Sequence, residues 1–192
     1  DGFVQDEGGI NVNGGYYSTD PSEDVTITDG YKMSKITDAT NPMNGYYALE
    51  KQNAVAIIIS SEGVSKEYYD MKKALDAAKS QKRSIIKLTK SFSDEEFVIN
   101  YLSECFDLTL DLNGYGFSCG YIDITGTGSN LTIKSSAKGG VLHVNNDVIY
   151  VGSGNTLTFL HGVRLPKSPV TLKVLLSHIN ASLQSSSSLN LT

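Results

Sequence analysis

At 192 residues, with 40% apolar and 19% charged side chains, the chain is long enough to bury a core and too apolar to stay disordered. A net charge of -5 at pH 7 excludes the basic surface that a nucleic-acid backbone requires, and no apolar run reaches the roughly 18 to 20 residues that span a bilayer. Two cysteines, Cys105 and Cys119, are too few for a disulfide framework; they read as free small side chains, with a single disulfide as the alternative.

The chain opens in mid-pattern at Asp1-Gly2-Phe3, without a charged-then-apolar leader, as expected of a processed protein or an excised segment. Up to about Leu49 it is punctuated by turn dipeptides, Gly8-Gly9, Asn13-Gly14, Asp29-Gly30 and Asn44-Gly45. Short strands are expected between them, over 10–12, 25–27, 31–33 and 46–49. Residues 1–55 therefore read as the β-rich end of a preceding module. The second region, 56–192, opens on the apolar run that extends from Val55 to Ile59, followed by a turn at Glu62-Gly63. Its one helix is expected over 70–80, where Asp70 can cap the backbone of Lys72 or Lys73. Met71, Leu75 and Ala78 share a face at i, i+4, i+7, and the helix precedes the strand repeats where a covering element is needed.

From Ile85 onward one pattern recurs. Leu108-Thr109-Leu110-Asp111 returns as Leu131-Thr132-Ile133-Lys134 and again as Leu157-Thr158-Phe159-Leu160, at steps of 23 and 26 residues. Ile122 and Ile124 return 27 residues later as Ile149 and Val151, and a third row runs Phe117, Leu142, Leu165. Repeats this short cannot bury an apolar face alone, so each must stack on the next. Three rows per repeat predict an all-β fold, a right-handed single-stranded parallel β-helix with three strands per coil, preceded by a short capping helix and a small β-rich segment. Leu108, Leu110, Leu131, Ile133, Leu157 and Phe159 are expected inside, with Thr109, Thr132, Thr158 and Asp111 outside.

Several stretches also carry a resemblance. Tyr68-Tyr69-Asp70-Met71-Lys72-Lys73-Ala74-Leu75-Asp76-Ala77-Ala78, Ser84-Ile85-Ile86-Lys87-Leu88, Leu108-Thr109-Leu110-Asp111-Leu112-Asn113-Gly114-Tyr115 and Asn130-Leu131-Thr132-Ile133-Lys134-Ser135-Ser136 with Gly139-Gly140 resemble a β-helix repeat module of large surface proteins of gut Firmicutes and related bacteria. Upstream, Gly14-Gly15-Tyr16-Tyr17-Ser18-Thr19-Asp20-Pro21 and Asp29-Gly30-Tyr31 are similar to the way a preceding copy ends. The resemblance runs to about Leu165; beyond Pro166 the spacing persists but the Gly-rich turns are missing. It implies a pectin-lyase-like β-helix on a secreted or wall-attached protein.

Chemistry is sparse by comparison. Asp107, Asp123 and Asp147 fall on different rows and do not supply the six or so converging oxygens of a calcium site. His161-Gly162-Val163-Arg164 lacks the paired carboxylates that glycoside hydrolysis requires, and His143 and His178 have no orienting acid in sequence. No catalytic residue, metal ligand or cofactor is assigned. Tyr121 and Tyr150, expected outward on successive rungs, are the candidate ligand-binding residues, because exposed aromatic rings stack on sugar rings and peptide groups. The expected function is a non-enzymatic structural or adhesive module of an extracellular, cell-surface or secreted bacterial protein, with host or dietary glycans or surface proteins as partners. The rival readings are a glycan-binding module built on the tyrosines and a polysaccharide lyase or hydrolase.

Overall fold

The computed structural model describes residues 11–12, 14–81, 83–100, 106–125, 128–146, 148–160, 162–165, 171–175 and 190–191. The chain divides between Asn53 and Ala54 into two compact units. Val55, assigned by sequence to the first region, is buried in the core of the second.

The first unit holds β1 (Asn11–Val12), β2 (Tyr16–Tyr17), β3 (Thr26–Ile27), β4 (Tyr31–Lys35) and β5 (Tyr47–Lys51). β1 pairs with β3 in parallel, while β5 runs antiparallel between β2 and β4. Gly45, at φ 89°, closes the β4–β5 connection by donating its N–H to the Ile36 carbonyl at 2.9 Å. The Tyr16–Tyr17 strand is absent from the sequence expectations, since two residues carry no alternation to read.

The second unit begins with β6 (Ala56–Ser60), β7 (Ser65–Tyr68), α1 (Met71–Lys79), β8 (Arg83–Leu88), β9 (Phe92–Ser93) and β10 (Val98–Asn100). It continues with β11 (Asp107–Asp111), β12 (Gly116–Cys119), β13 (Tyr121–Ile124), β14 (Asn130–Lys134), β15 (Val141–Val144), β16 (Val148–Gly152), β17 (Thr156–Phe159), β18 (Thr171–Leu175) and β19 (Asn190–Leu191). Three parallel arrays result: β8–β11–β14–β17, β9–β12–β15, and β10–β13–β16–β18–β19.

The sequence repeat is the pairing register. Leu108 pairs with Leu131 and Leu131 with Leu157; Ile122 pairs with Ile149 and Ile149 with Leu172; Phe92, Phe117 and Leu142 form the third row. Because side chains alternate along a strand, this register drives one set inward: Leu108, Leu110, Leu131, Ile133 and Leu157 are buried, whereas Thr109, Thr132 and Thr158 are half-buried on the other face. Phe159 departs from the expected burial and is only half-buried, since it ends the edge strand of its sheet. Phe92, Phe97 and Phe117 lock together in the core, with centroids 4.9 to 6.0 Å apart.

The first array ends differently from the rest. β6 lies antiparallel on β8, and β7 lies antiparallel on β6 as the edge strand. Lys66 and Glu67 sit on that edge, where charge discourages pairing with a further strand. α1 packs on β6, β7 and β8 and buries Met71, Ala74, Leu75 and Ala78 in the core. Asp70 caps it, its carboxylate accepting from the Lys73 N–H at 2.7 Å.

Asp111 is the main departure from the expected pattern. It is 3% exposed rather than outward, because the alternation breaks where β11 gives way to a turn. Its Oδ1 accepts from the N–H groups of Asn113 at 2.9 Å and Ser136 at 2.8 Å, and its Oδ2 lies 3.8 Å from the Lys134 ammonium. Asn113 in turn donates its amide to the Leu88 carbonyl at 3.0 Å, so one corner ties three successive strands of the array. Asn113 at φ 48° and Gly114 at φ 86° supply the left-handed turn, and a Cβ on Gly114 would lie 3.1 Å from the Lys138 carbonyl.

Truncating Leu131 to Ala should cost about 2–5 kcal/mol by leaving a core cavity. Asp111→Ala should cost about 2–4 kcal/mol by stranding two backbone donors, whereas Thr132→Ala should cost about 1 kcal/mol or less. Urea denaturation of the three variants measures this order, and a reversal of Asp111 and Thr132 would contradict the corner assignment.

Candidate functional site

β13 carries Tyr121, Ile122, Asp123 and Ile124. With Ile122 and Ile124 at 0% exposure in the core, Tyr121 and Asp123 must emerge on the opposite face. One strand further, Tyr150 of β16 pairs in register with Asp123, not with Tyr121. The two rings therefore meet on the diagonal, at a centroid distance of 6.4 Å and an interplanar angle of 89°. Asn146 joins them from the turn before β16, seated by its own N–H, which donates to the Gly120 carbonyl at 3.0 Å. Tyr121, Asp123, Asn146 and Tyr150 line an open groove of about 360 Å³.

Among the described residues that line it, Asp123 is the charged group. Oδ1 is shielded from water and accepts no hydrogen bond, and the described residues place no ion-pair partner on the carboxylate. Leaving such an oxygen unsatisfied costs on the order of 1–3 kcal/mol relative to a paired one. The described residues of the groove thus combine two half-buried tyrosine rings at right angles, one carboxylate without an ion-pair partner among them and one amide.

The sequence expectation of two outward tyrosines on successive strands holds, but they form a corner and not a continuous flat platform. Asp123, considered in the sequence only as a calcium ligand, shares this groove. The signal was present in the 27-residue step from Ile122 to Ile149, which sets Asp123 against Tyr150. The remaining paired tyrosines lie elsewhere: Tyr16, Tyr17, Tyr46 and Tyr47 belong to the first unit. Tyr68 packs on the second unit's core beneath the Lys66 ammonium, and the Tyr69 hydroxyl donates to Glu67.

Other chemistry-bearing groups do not converge. Asp107 is paired with Arg83 at 2.9 Å, Asp111 is spent on its corner, and Asp123 lies on a different array from both. Asp147, His161, His178 and Cys105 lie outside the described residues. Ser118 and His143 are register partners with Oγ and Nδ1 3.5 Å apart, yet the Ser118 hydroxyl donates to Asn145 Oδ1 at 3.0 Å, which takes the proton a nucleophile would have to hand to the imidazole. Among the described residues no three His, Cys, Asp or Glu side chains group as metal ligands. No described helix is long and apolar enough to cross a membrane.

Cys119 is free and buried, and desolvation pushes its thiol up to about 12. The chain matches no known protein family, no curated protein and no solved structure.

The raised thiol gives a direct expectation. Cys119 should resist alkylation at pH 8 in the folded protein and react once urea unfolds it, as peptide mapping of the label would show. With the folded value above the ordinary 9.0, the native state holds the proton longer, so this stabilising contribution is complete below about pH 9 and is lost as pH rises through about 12.

Proposed function

We propose that the second unit is a segment of right-handed parallel β-helix, three strands to the coil and covered at its start by α1, of the pectin-lyase-like kind. On this reading it serves as a non-enzymatic structural or adhesive module of a secreted or cell-surface bacterial protein. The observation that carries it is that, from β8 to β17, every third strand recurs in the same parallel array at the spacing of the sequence repeat. Parallel connections of this kind are right-handed in nearly all proteins. A chain that winds in this way gains length one coil at a time and presents a stiff, regularly spaced surface.

What supports a non-enzymatic role is the placement of the carboxylates. Acid-base cleavage of a glycosidic bond uses two carboxyl groups, roughly 5 to 9.5 Å apart, on one cleft. The groove contains one described carboxylate, Asp123; Asp107 and Asp111 are engaged on another array. A glycan-binding role draws support from the shared groove of Tyr121 and Tyr150, with host or dietary glycans or surface proteins as partners.

The purified chain should release no unsaturated products or reducing ends from pectin, polygalacturonate or host glycans, with or without calcium. Turnover that disappears in Asp123→Ala or Asp111→Ala, with the fold retained by circular dichroism, would contradict the reading.

A further inference from the structure

We propose that the groove of Tyr121, Asp123, Asn146 and Tyr150 is a binding site for an organic cation, a protonated or quaternary amine, on a ligand small enough to enter about 360 Å³. This goes beyond the structural role and does not depend on how the arrays close into a coil.

Three features select that chemistry. First, the two rings meet edge to face at 89° with centroids 6.4 Å apart, and a cation set over a ring face within about 6 Å of its centroid is attracted by the ring quadrupole. A neutral sugar needs one broad face, which perpendicular rings do not offer together. Second, Asp123 brings a negative charge that the described residues leave without an ion-pair or hydrogen-bond partner. A bound cation supplies the missing counter-charge, and a neutral ligand does not. Third, a metal cation such as calcium would need about six oxygens, whereas the described residues of the groove offer one carboxylate and one amide. A weakly hydrated organic cation requires no such cage. Asn146 adds a carbonyl and an amide beside the corner, able to accept from an ammonium N–H or pair with a neighbouring hydroxyl.

The amine can belong to an amino sugar or to a lysine-type side chain, and the chemistry is common to both. The test titrates the whole chain, with ring-labelled tyrosine, against choline, glucosamine and lysine methylamide, each beside a neutral counterpart: an alcohol of the shape of choline, N-acetylglucosamine, and lysine methylamide acetylated on both its α- and ε-amines. The signals are assigned through Tyr121→Leu and Tyr150→Leu. The expected result is a saturable shift of both rings with the cations, little or none with the neutral molecules, and affinity lowered about tenfold in Asp123→Asn, whose shape is unchanged. Preference for glucosamine identifies a glycan as the source, and preference for lysine methylamide a peptide. The proposal is overturned if the neutral counterparts bind as well as the cations, if Asp123→Asn binds choline unchanged, or if no cation moves either ring.

Discussion

In-register parallel pairing is the constraint on which the rest of the second unit depends. A parallel strand has no adjacent hairpin partner, so its backbone groups are satisfied only by strands one repeat earlier and one repeat later. Leu131 meets Leu108 on one side and Leu157 on the other; a loss or gain of one residue between them would turn the leucines out and the threonines in. The turns between arrays must therefore return the chain to the same register every time, even though the steps themselves vary from 19 residues, between β18 and β19, to 27.

The corner after β11 shows how the sequence meets that demand. Asp111 holds two backbone donors, Asn113 reaches back to Leu88, and Gly114 donates its N–H to the Ser135 hydroxyl oxygen at 2.9 Å. Three of these bonds, Ser136 to Asp111, Asn113 to Leu88 and Gly114 to Ser135, join segments that are neighbours in space but more than 20 residues apart in sequence. At β13 the same logic appears sterically: Gly120 lies so close to the Glu95 carbonyl that a side chain there would collide with it. Where the array begins, the demand changes, because no described strand of this unit lies one repeat earlier to pair with β8 in parallel. The hairpin of β6 and β7 meets it with antiparallel pairing, and α1 covers the apolar side of the same strands.

These differences explain what could be read from the sequence. The row of Leu108, Leu131 and Leu157 was legible because period-two alternation and the repeat agree. The helix was legible because Asp70 and the stripe of Met71, Leu75 and Ala78 mark it locally. Strand β7 was not, since Ser65-Lys66-Glu67-Tyr68 has no apolar alternation and exists only as the partner of β6. Asp111 was misjudged because a carboxylate at a strand end can fold back onto backbone donors, which alternation alone does not reveal. For the groove, the sequence pointed to Tyr121 and Tyr150, but the perpendicular rings and the shared position of Asp123 and Asn146 follow from a diagonal offset between neighbouring strands.

The groove and the core are thus products of one register: the pairing that buries Ile122 and Ile149 also sets Asp123 against Tyr150. That register is most directly tested by methyl-to-methyl nuclear Overhauser contacts in protein labelled at leucine methyls. The account predicts that Leu131 contacts both Leu108 and Leu157, with no direct contact between Leu108 and Leu157. Leu131 methyls that touch neither partner, or a direct Leu108 to Leu157 contact that bypasses it, would contradict the stacked arrangement from which the corner, the core and the groove all follow.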